Sequence, residues 1–394
     1  MIVASVVAQA NAQWTPANLP YAGGKTGCFA ISGTNLFAGT DGGGVFLSTN
    51  NGTSWSPMNT GLTQLYVWAL AFSGTNLFAG TSSGVFMSTN NGTSWSVSPG
   101  VGSQGVSAFA VSGTNLFAGT NGGPFLSTDN GTSWKSIKTG MTSTQVRALA
   151  ISGTYLFAGT FGGGVFVSTN NGTSWSLSPG SGSTTAYALA FSGTNLFAGT
   201  DGGVFLSTNS GTSWSPASTG LGNNGSVYAL ALSGTNLFAG TWGDSVFVST
   251  NNGTSWRSVN TGLGSTGSVH ALAVSGAYLL AGTDIGVWRR PLSDMISTSV
   301  NTLRADIPSA FALEQNYPNP FNPSTTIRYE LPKSGSVSLR IFNTLGQVVA
   351  SLVAGKMEAG YHQATWNANI PSGIYFYRLQ AGDFVQTKKM ILLR

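Results

Sequence analysis

The side chains able to do acid–base, nucleophilic or metal chemistry are few and scattered. Residues 1–290 contain no Glu, and their acids are Asp41, Asp129, Asp201, Asp244 and Asp284. Hydrolysis of a glycosidic bond usually takes two carboxyl groups flanking the scissile bond. Asp41 and Asp284 occupy equivalent turns in the first and last of a series of repeats. They become neighbours if the series closes into a ring. Asp41-Gly42 and Asp201-Gly202 are also ordinary hairpin-turn pairs. A hydrolase that grips an acidic sugar with several arginines is not expected, since the interior of the repeats offers only Arg147 and Arg257. The only histidines, His270 and His362, fall in different parts of the chain, and Cys28 is the only cysteine. A two-histidine metal site, a cysteine-cluster zinc site and an intramolecular disulfide are therefore not expected. G-x-G-x-x-G occurs at Gly100–Gly105, Gly220–Gly225 and Gly262–Gly267. None of these precedes a helical pattern, so the context for cradling phosphate is missing. The expectation is a protein with no catalytic residues, no metal and no cofactor.

Binding chemistry is better represented. Two positions differ sharply among otherwise near-identical repeats. One enters the first strand of each repeat: Gly27, Trp68, Ser107, Arg147, Tyr187, Tyr228 and His270. The other follows the string AGT: Asp41, Ser82, Asn121, Phe161, Asp201, Trp242 and Asp284. In an up-and-down four-stranded unit both positions fall at the same end, so they are expected to surround one mouth. Aromatic faces mixed with short polar side chains suit recognition of a sugar or peptide. Trp68, Arg147, Tyr187, Tyr228, Trp242 and His270 are the expected lining of a shallow ligand site, with Asp41, Phe161, Asp201 and Asp284 around it. Neutral variation at exposed turns accounts for the same pattern without a ligand.

The elements that position these residues repeat about every forty residues. SGTNLFAGT begins at Ser32 and returns at Ser73, Ser112, Ser152 (SGTYLFAGT), Ser192 and Ser233, with a degenerate SGAYLLAGT at Ser275. STNNGTSW begins at Ser48 and returns, with small changes, at Ser88, Ser127, Ser168, Ser207 and Ser249. Each unit reads as four short strands separated by Gly, Asn and Ser turns, and residues 13–290 show no helical period. That is the pattern of a β-propeller blade. The seventh unit ends at Gly286-Val287-Trp288-Arg289-Arg290 without a fourth strand, whereas Trp14-Thr15-Pro16 matches Trp55-Ser56-Pro57 and Trp214-Ser215-Pro216. The N-terminal strand is thus predicted to complete the last blade, with Trp14 beside Trp288, and to close the ring.

The string S-T-[ND]-x-G-T-S-W resembles the Asp-box, or BNR, repeat, with Asn replacing the usual Asp everywhere except Asp129. The resemblance implies a structural turn between the two outer strands. A short amide or carboxylate there bonds nearby backbone N–H groups, and Gly takes positive φ. Trp55, Trp95, Trp134, Trp175, Trp214 and Trp256 are then expected to pack between blades. The Asn-Gly-Thr sequons at Asn51, Asn91, Asn130, Asn171 and Asn252 fall inside this turn.

The two ends of the chain read differently. Ile2–Ala8 is apolar and Ala10-Asn11-Ala12 has the form of a signal-peptidase site. Residues 1–12 are read as the remnant of a signal peptide, or as an additional strand. Residues 291–310 read as a linker. Residues 311–394 open on a proline-rich segment that cannot supply central strands. Alternating segments at Val337–Phe342, Gln347–Val353, Tyr361–Asn367, Ile374–Leu379 and Phe384–Leu393 follow, suggesting a small Ig-like β-sandwich. Tyr317-Pro318-Asn319-Pro320-Phe321-Asn322-Pro323, Asn343-Thr344-Leu345-Gly346, Gly360-Tyr361, Gly373-Ile374-Tyr375-Phe376 and Lys388-Lys389-Met390 together resemble the type A sorting domain of the type IX secretion system. The resemblance implies the type IX machinery as a partner, export across the outer membrane of a Bacteroidota-like diderm bacterium, and later removal of the domain with surface attachment or release.

Composition narrows the possible partners. Charged residues are 7%, against about a quarter in average soluble domains. The balance of 16 basic and 11 acidic residues is positive, yet no Lys/Arg run exists, so nucleic acid is not an expected partner. No stretch of eighteen apolar residues is present, so no membrane-spanning helix is expected. The reading is all-β: a seven-bladed β-propeller over 13–290 and an Ig-like sandwich over 311–394. It is expected to be a secreted or surface-displayed monomer that recognises an extracellular glycan or protein without catalysis. A polysaccharide-cleaving glycosidase and a structural or adhesive surface protein are the alternatives.

Overall fold

The computed structural model describes residues 13–296, apart from 22–23, 182–183, 223–224 and 244, and residues 308 and 310–393. The expected leader, residues 1–12, and Asp244 lie outside the described residues. The chain divides into two compact units, with the boundary after residue 297.

In the first unit the described residues form seven four-stranded antiparallel sheets. Their inner strands are Thr26–Ser32, Val67–Ser73, Val106–Ser112, Val146–Ser152, Ala186–Ser192, Val227–Ser233 and Val269–Ser275. Each inner strand lies against the next, and the seventh lies against the first, giving a propeller-like ring. The hairpin from the inner strand to the second strand has a two-residue loop, as in Ser32↔Asn35. Gly33 takes the first central position at φ +59°, which a side chain disfavours and a II′-type hairpin requires.

Packing between sheets uses the second strand. Its aromatic residue is essentially inaccessible in six sheets (Phe37, Phe78, Phe117, Phe157, Phe197 and Phe238), and Leu280 takes its place in the seventh. The glycine two residues on is demanded by proximity. A Cβ on Gly119 would lie 2.6 Å from Val146 Cγ1 of the next sheet, and one on Gly240 would lie 2.6 Å from Val269 Cγ1. The apolar LFAG string is thus a contact surface shaped to admit its neighbour.

The turn before the outer strand is a local hydrogen-bond cage. Ser48 Oγ donates to Asn50 Oδ1 (2.9 Å) and accepts from the Gly52 amide (2.9 Å), while the Ser54 amide donates to Asn50 Oδ1 (2.9 Å). The following Asn51 takes φ +53°, a left-handed conformation that Asn tolerates better than most residues. Asp129 replaces the amide in the third copy and accepts from Ser127, the Ser133 amide and the Ser133 hydroxyl. Those donors, the Ser133 hydroxyl foremost, lower its pKa to about 2. Each turn then delivers a tryptophan to the preceding sheet. Trp55, Trp95, Trp175 and Trp256 donate their indole N–H to the carbonyls of Ala17, Met58, Ile137 and Ala217, at 2.6–2.9 Å. Trp134 and Trp214 donate to Ser98 Oγ and Ser178 Oγ, both at 2.8 Å.

The last sheet combines Gly286–Pro291 with Thr15–Pro16 from the start of the chain. The register differs from the expected one: Pro16, not Trp14, faces Trp288, and Thr15 faces Arg289. Trp14 instead turns under the sixth sheet, where its indole donates to the Val259 carbonyl at 2.6 Å, so it plays the same part as the other six tryptophans. The unit also continues past Arg290. Leu292 and Met295 are buried, Ser293–Ile296 forms a helical turn, and the Arg257 guanidinium donates to the Met295 carbonyl. Most of the rest of the expected linker lies outside the described residues.

The second unit packs two antiparallel sheets over one core. Ala312–Leu313, Ser324–Leu331 and Gly360–Asn367 form the first; Val348–Met357, Gly335–Phe342, Gly373–Ala381 and Phe384–Leu392 form the second. Ile327, Tyr329, Leu339, Ile341, Tyr377 and Leu379 are fully buried between them.

Candidate functional site

Each inner strand carries the same irregularity. Its pairing with the second strand steps from Thr26 to Cys28, Val67 to Ala69, Val106 to Ala108, Val146 to Ala148, Ala186 to Ala188, Val227 to Ala229 and Val269 to Ala271. The skipped residue is a β-bulge, which leaves the ladder and re-aims its side chain. The skipped residues are Gly27, Trp68, Ser107, Arg147, Tyr187, Tyr228 and His270, the set that varies among the repeats. With Lys25 and Asp41 they line one cavity of about 440 Å3.

Three neighbouring sheets supply an aromatic arc. Tyr187 and Tyr228 meet edge to face with centroids 4.7 Å apart, and Tyr228 stacks on His270 at 5.5 Å and 11°. His270 Nε2 lies 2.7 Å from Asp284 Oδ1, and Asp284 Oδ2 accepts the Ser268 amide at 2.8 Å. Burial, helped by the Lys25 ammonium, outweighs Asp284 and lowers the His270 pKa. The imidazole is therefore neutral near pH 7 and donates Nε2–H to the carboxylate. Burial would raise the Asp284 pKa, but the Ser268 amide, His270 and Lys25 together carry it below the ordinary value. Burial, with Tyr187 and Asp284 adding, raises the Tyr228 phenol, which stays protonated.

Elsewhere around the ring Trp68 stands between the two small residues, Gly27 and Ser107. Its indole N–H donates to Asp41 Oδ1 at 3.0 Å, and Asp41 Oδ2 lies 3.4 Å from Lys25 Nζ. The far side of the indole covers Gly105, where an added Cβ would lie 2.5 Å from Trp68 Cζ3. The Arg147 guanidinium carbon lies over the Phe161 ring, 5.6 Å from its centroid. Among the described residues no carboxylate lies within ion-pair distance of it, and its buried Nε has no hydrogen-bond partner. Cys28, next to Gly27, is half-buried, and desolvation pushes its thiol pKa up to about 12, which disfavours a thiolate nucleophile.

The cavity thus gathers Asp41, Trp68, Arg147, Tyr187, Tyr228 and His270. Asp284 touches it through His270, and Phe161 supports Arg147 from an exposed rim. Trp242 is 62% exposed and outside the lining. Asp201 lines a separate, smaller cavity of about 310 Å3, where it accepts the Thr185 amide at 3.2 Å. Of the second variable set only Asp41 reaches the main cavity. Its turns follow the second strand, one strand spacing, about 4.8 Å, farther from the ring axis. Lys25 was not anticipated. The one available signal is that it is the only lysine before Lys135 and sits two residues before Gly27.

In the second unit Gly360 begins a strand at φ +145° and Tyr361 beside it is exposed. Gly373 begins another strand, and buried Tyr375 donates to the Pro371 carbonyl at 2.7 Å. Lys388 and Lys389 lie on the edge strand Phe384–Leu392.

No curated protein sequence matches the chain. Solved structures that resemble it do so at low identity, which speaks to fold alone. A GH74 xyloglucanase from Xanthomonas campestris aligns at TM-score 0.58 and 16% identity, over 73% of this chain and 54% of that one. YCF48 bound to D1 peptide aligns at TM-score 0.56 and 15% identity, over 71% of this chain and 96% of that one. PorZ, a surface component of the type IX secretion system of Porphyromonas gingivalis, aligns at TM-score 0.51 and 14% identity, over 93% of this chain and 59% of that one. The chain therefore spans little more than half of the xyloglucanase and of PorZ. These are propeller-like proteins, in keeping with the ring of four-stranded sheets. The family described as the secretion system C-terminal sorting domain matches residues 315–393, so the second unit is a sorting domain of that family.

Proposed function

We propose that the first unit is a seven-bladed β-propeller with turns of the Asp-box type. The second is an Ig-like sandwich that directs type IX secretion. On this reading the propeller works at the surface of, or outside, a Bacteroidota-like cell as a monomer, recognising a glycan or protein without catalysis. One observation carries the recognition reading: the seven bulged residues, which differ from repeat to repeat, converge on a single cavity. Bulges place side chains where a regular ladder cannot, and such placement is common at functional sites.

The likeness to a xyloglucanase, with Asp41 and Asp284 on neighbouring sheets, favours a glycosidase as the second reading. Their surroundings argue against it. A glycosidase acid needs a raised pKa, yet Asp284 sits below the ordinary range, and Asp41 is held by Lys25 and Trp68. A purely structural or adhesive role predicts no saturable ligand. The test is glycan and protein array binding by the full chain and by a Trp68→Ala/Tyr228→Ala variant, with a reducing-end assay controlled by Asp41→Asn. Recognition predicts saturable binding that the double variant loses, and no new reducing ends. Binding that survives the double variant, or hydrolysis that Asp41→Asn abolishes, overturns it.

A further inference from the structure

The next step rests on the recognition reading and names the class of ligand. We propose that the cavity binds a carboxylate-bearing sugar, with its carboxylate on Arg147, its ring against the Tyr187–Tyr228–His270 arc, and its hydroxyls toward Asp41.

Most charges at or beside the cavity are already answered. Lys25 and Asp41 answer each other at 3.4 Å, and Asp284 takes hydrogen bonds from His270 and the Ser268 amide. Arg147 alone has no anion among the described residues. A guanidinium has five N–H donors in one plane. The Arg147 guanidinium carbon lies over the Phe161 ring, 5.6 Å from the centroid, and the side chain lines the cavity. A carboxylate matches this fork with two parallel hydrogen bonds.

Order around the ring supplies the rest. Arg147 belongs to the fourth sheet, Tyr187, Tyr228 and His270 to the fifth, sixth and seventh, and Asp41 to the first. The aromatic arc therefore runs from an unanswered cation round to the ion-paired Asp41 carboxylate. A carboxylate is an acceptor only, so that end calls for O–H donors. A sugar acid has this polarity: a carboxylate at one position, vicinal hydroxyls at others, and apolar ring faces that lie on aromatic rings. The volume, about 440 Å3, lies in the lower part of the range of small-ligand sites, about 300–1,000 Å3. It suits a terminal unit or a short oligosaccharide.

The test uses the full chain and matched pairs of short oligosaccharides: galacturonate, glucuronate, mannuronate and guluronate, each beside its neutral hexose counterpart. Acidic peptides form a third arm. Calorimetry should show at least one uronate bound ten- to a hundredfold more tightly than its neutral partner, the range of a charge-assisted hydrogen bond. Arg147→Gln should remove that preference, Arg147→Lys should keep part of it, and added salt should weaken it. Thermal melts of both variants verify the fold. Equal binding of acidic and neutral sugars, lost in Trp68→Ala/Tyr228→Ala but indifferent to Arg147→Gln, overturns this inference and leaves the recognition reading standing. Binding of acidic peptides with no sugar overturns the sugar class. Absence of any saturable ligand overturns both.

Discussion

The two ends of the seven sheets share the same strands and differ in how far the copies agree. At the far end every turn repeats one hydrogen-bond cage, one left-handed residue and one tryptophan seated on the preceding sheet. At the mouth the bulged position is Gly, Trp, Ser, Arg, Tyr, Tyr and His in turn. The far end must seat a tryptophan on the preceding sheet seven times, five on a backbone carbonyl and two on a serine hydroxyl, which leaves little room for variation. The mouth makes no contact that all seven sheets need, so its side chains can differ without disturbing the ring. Uniformity thus marks what holds the fold, and variety marks where a ligand can be read.

The contrast is broken most severely by opening the ring. Deleting residues 13–17 removes the strand that pairs with Gly286–Pro291, along with the buried Trp14 and Ala17. The exposed edge should lose cooperative unfolding and promote association, seen by calorimetry and light scattering. Trp175→Ala should come next, at about 3–5 kcal/mol, read from the denaturant midpoint. It removes a buried ring and the Ile137 hydrogen bond. Gly119→Ala should cost about 1–3 kcal/mol, because the new Cβ would crowd Val146 of the next sheet. At the mouth the order reverses. Trp68→Ala or Tyr228→Ala should change stability by no more than about 1 kcal/mol while lowering ligand affinity at least tenfold.

Much of this was legible in the sequence because the repeats are their own controls. The strings SGTNLFAGT and STNNGTSW give strand number, turn chemistry and the tryptophan positions, since each is fixed by local geometry that recurs. The bulge was not legible. Trp68 and Arg147 look like ordinary first-strand residues, and only the register shows that they are skipped. Trp242 and Asp201 were grouped with the mouth because they share its end of the sheet; distance from the axis, which periodicity does not report, puts them outside the cavity. The two-residue change in closure, Pro16 rather than Trp14 opposite Trp288, goes with the indole's hydrogen bond to the Val259 carbonyl.

Titration gives the smallest and sharpest contrasts. With two histidines in the chain, NMR resolves each ring. His270 should titrate below 6.5, because burial disfavours its charged form. Its folded pKa lies below the unfolded one, so the unfolded chain takes up this proton first. Stability should then fall as pH drops through 6.5 toward the folded pKa. At the far end Asp129 has the same sign. Its contribution is complete above 3.8 and is lost as pH falls toward about 2, so Asp129→Asn should blunt acid unfolding in that window.

The central claim, that the varied mouth and not the uniform far end reads the ligand, is tested most directly by calorimetric titration of three full-length proteins with the best-bound array ligand. These are the unaltered chain, Trp68→Ala/Tyr228→Ala at the mouth, and Asn91→Gly at the far end, where φ +53° suits glycine. The account predicts binding to the first and third and a loss of at least tenfold in the second, with all three folded. Equal binding by all three, or loss confined to Asn91→Gly, would contradict it.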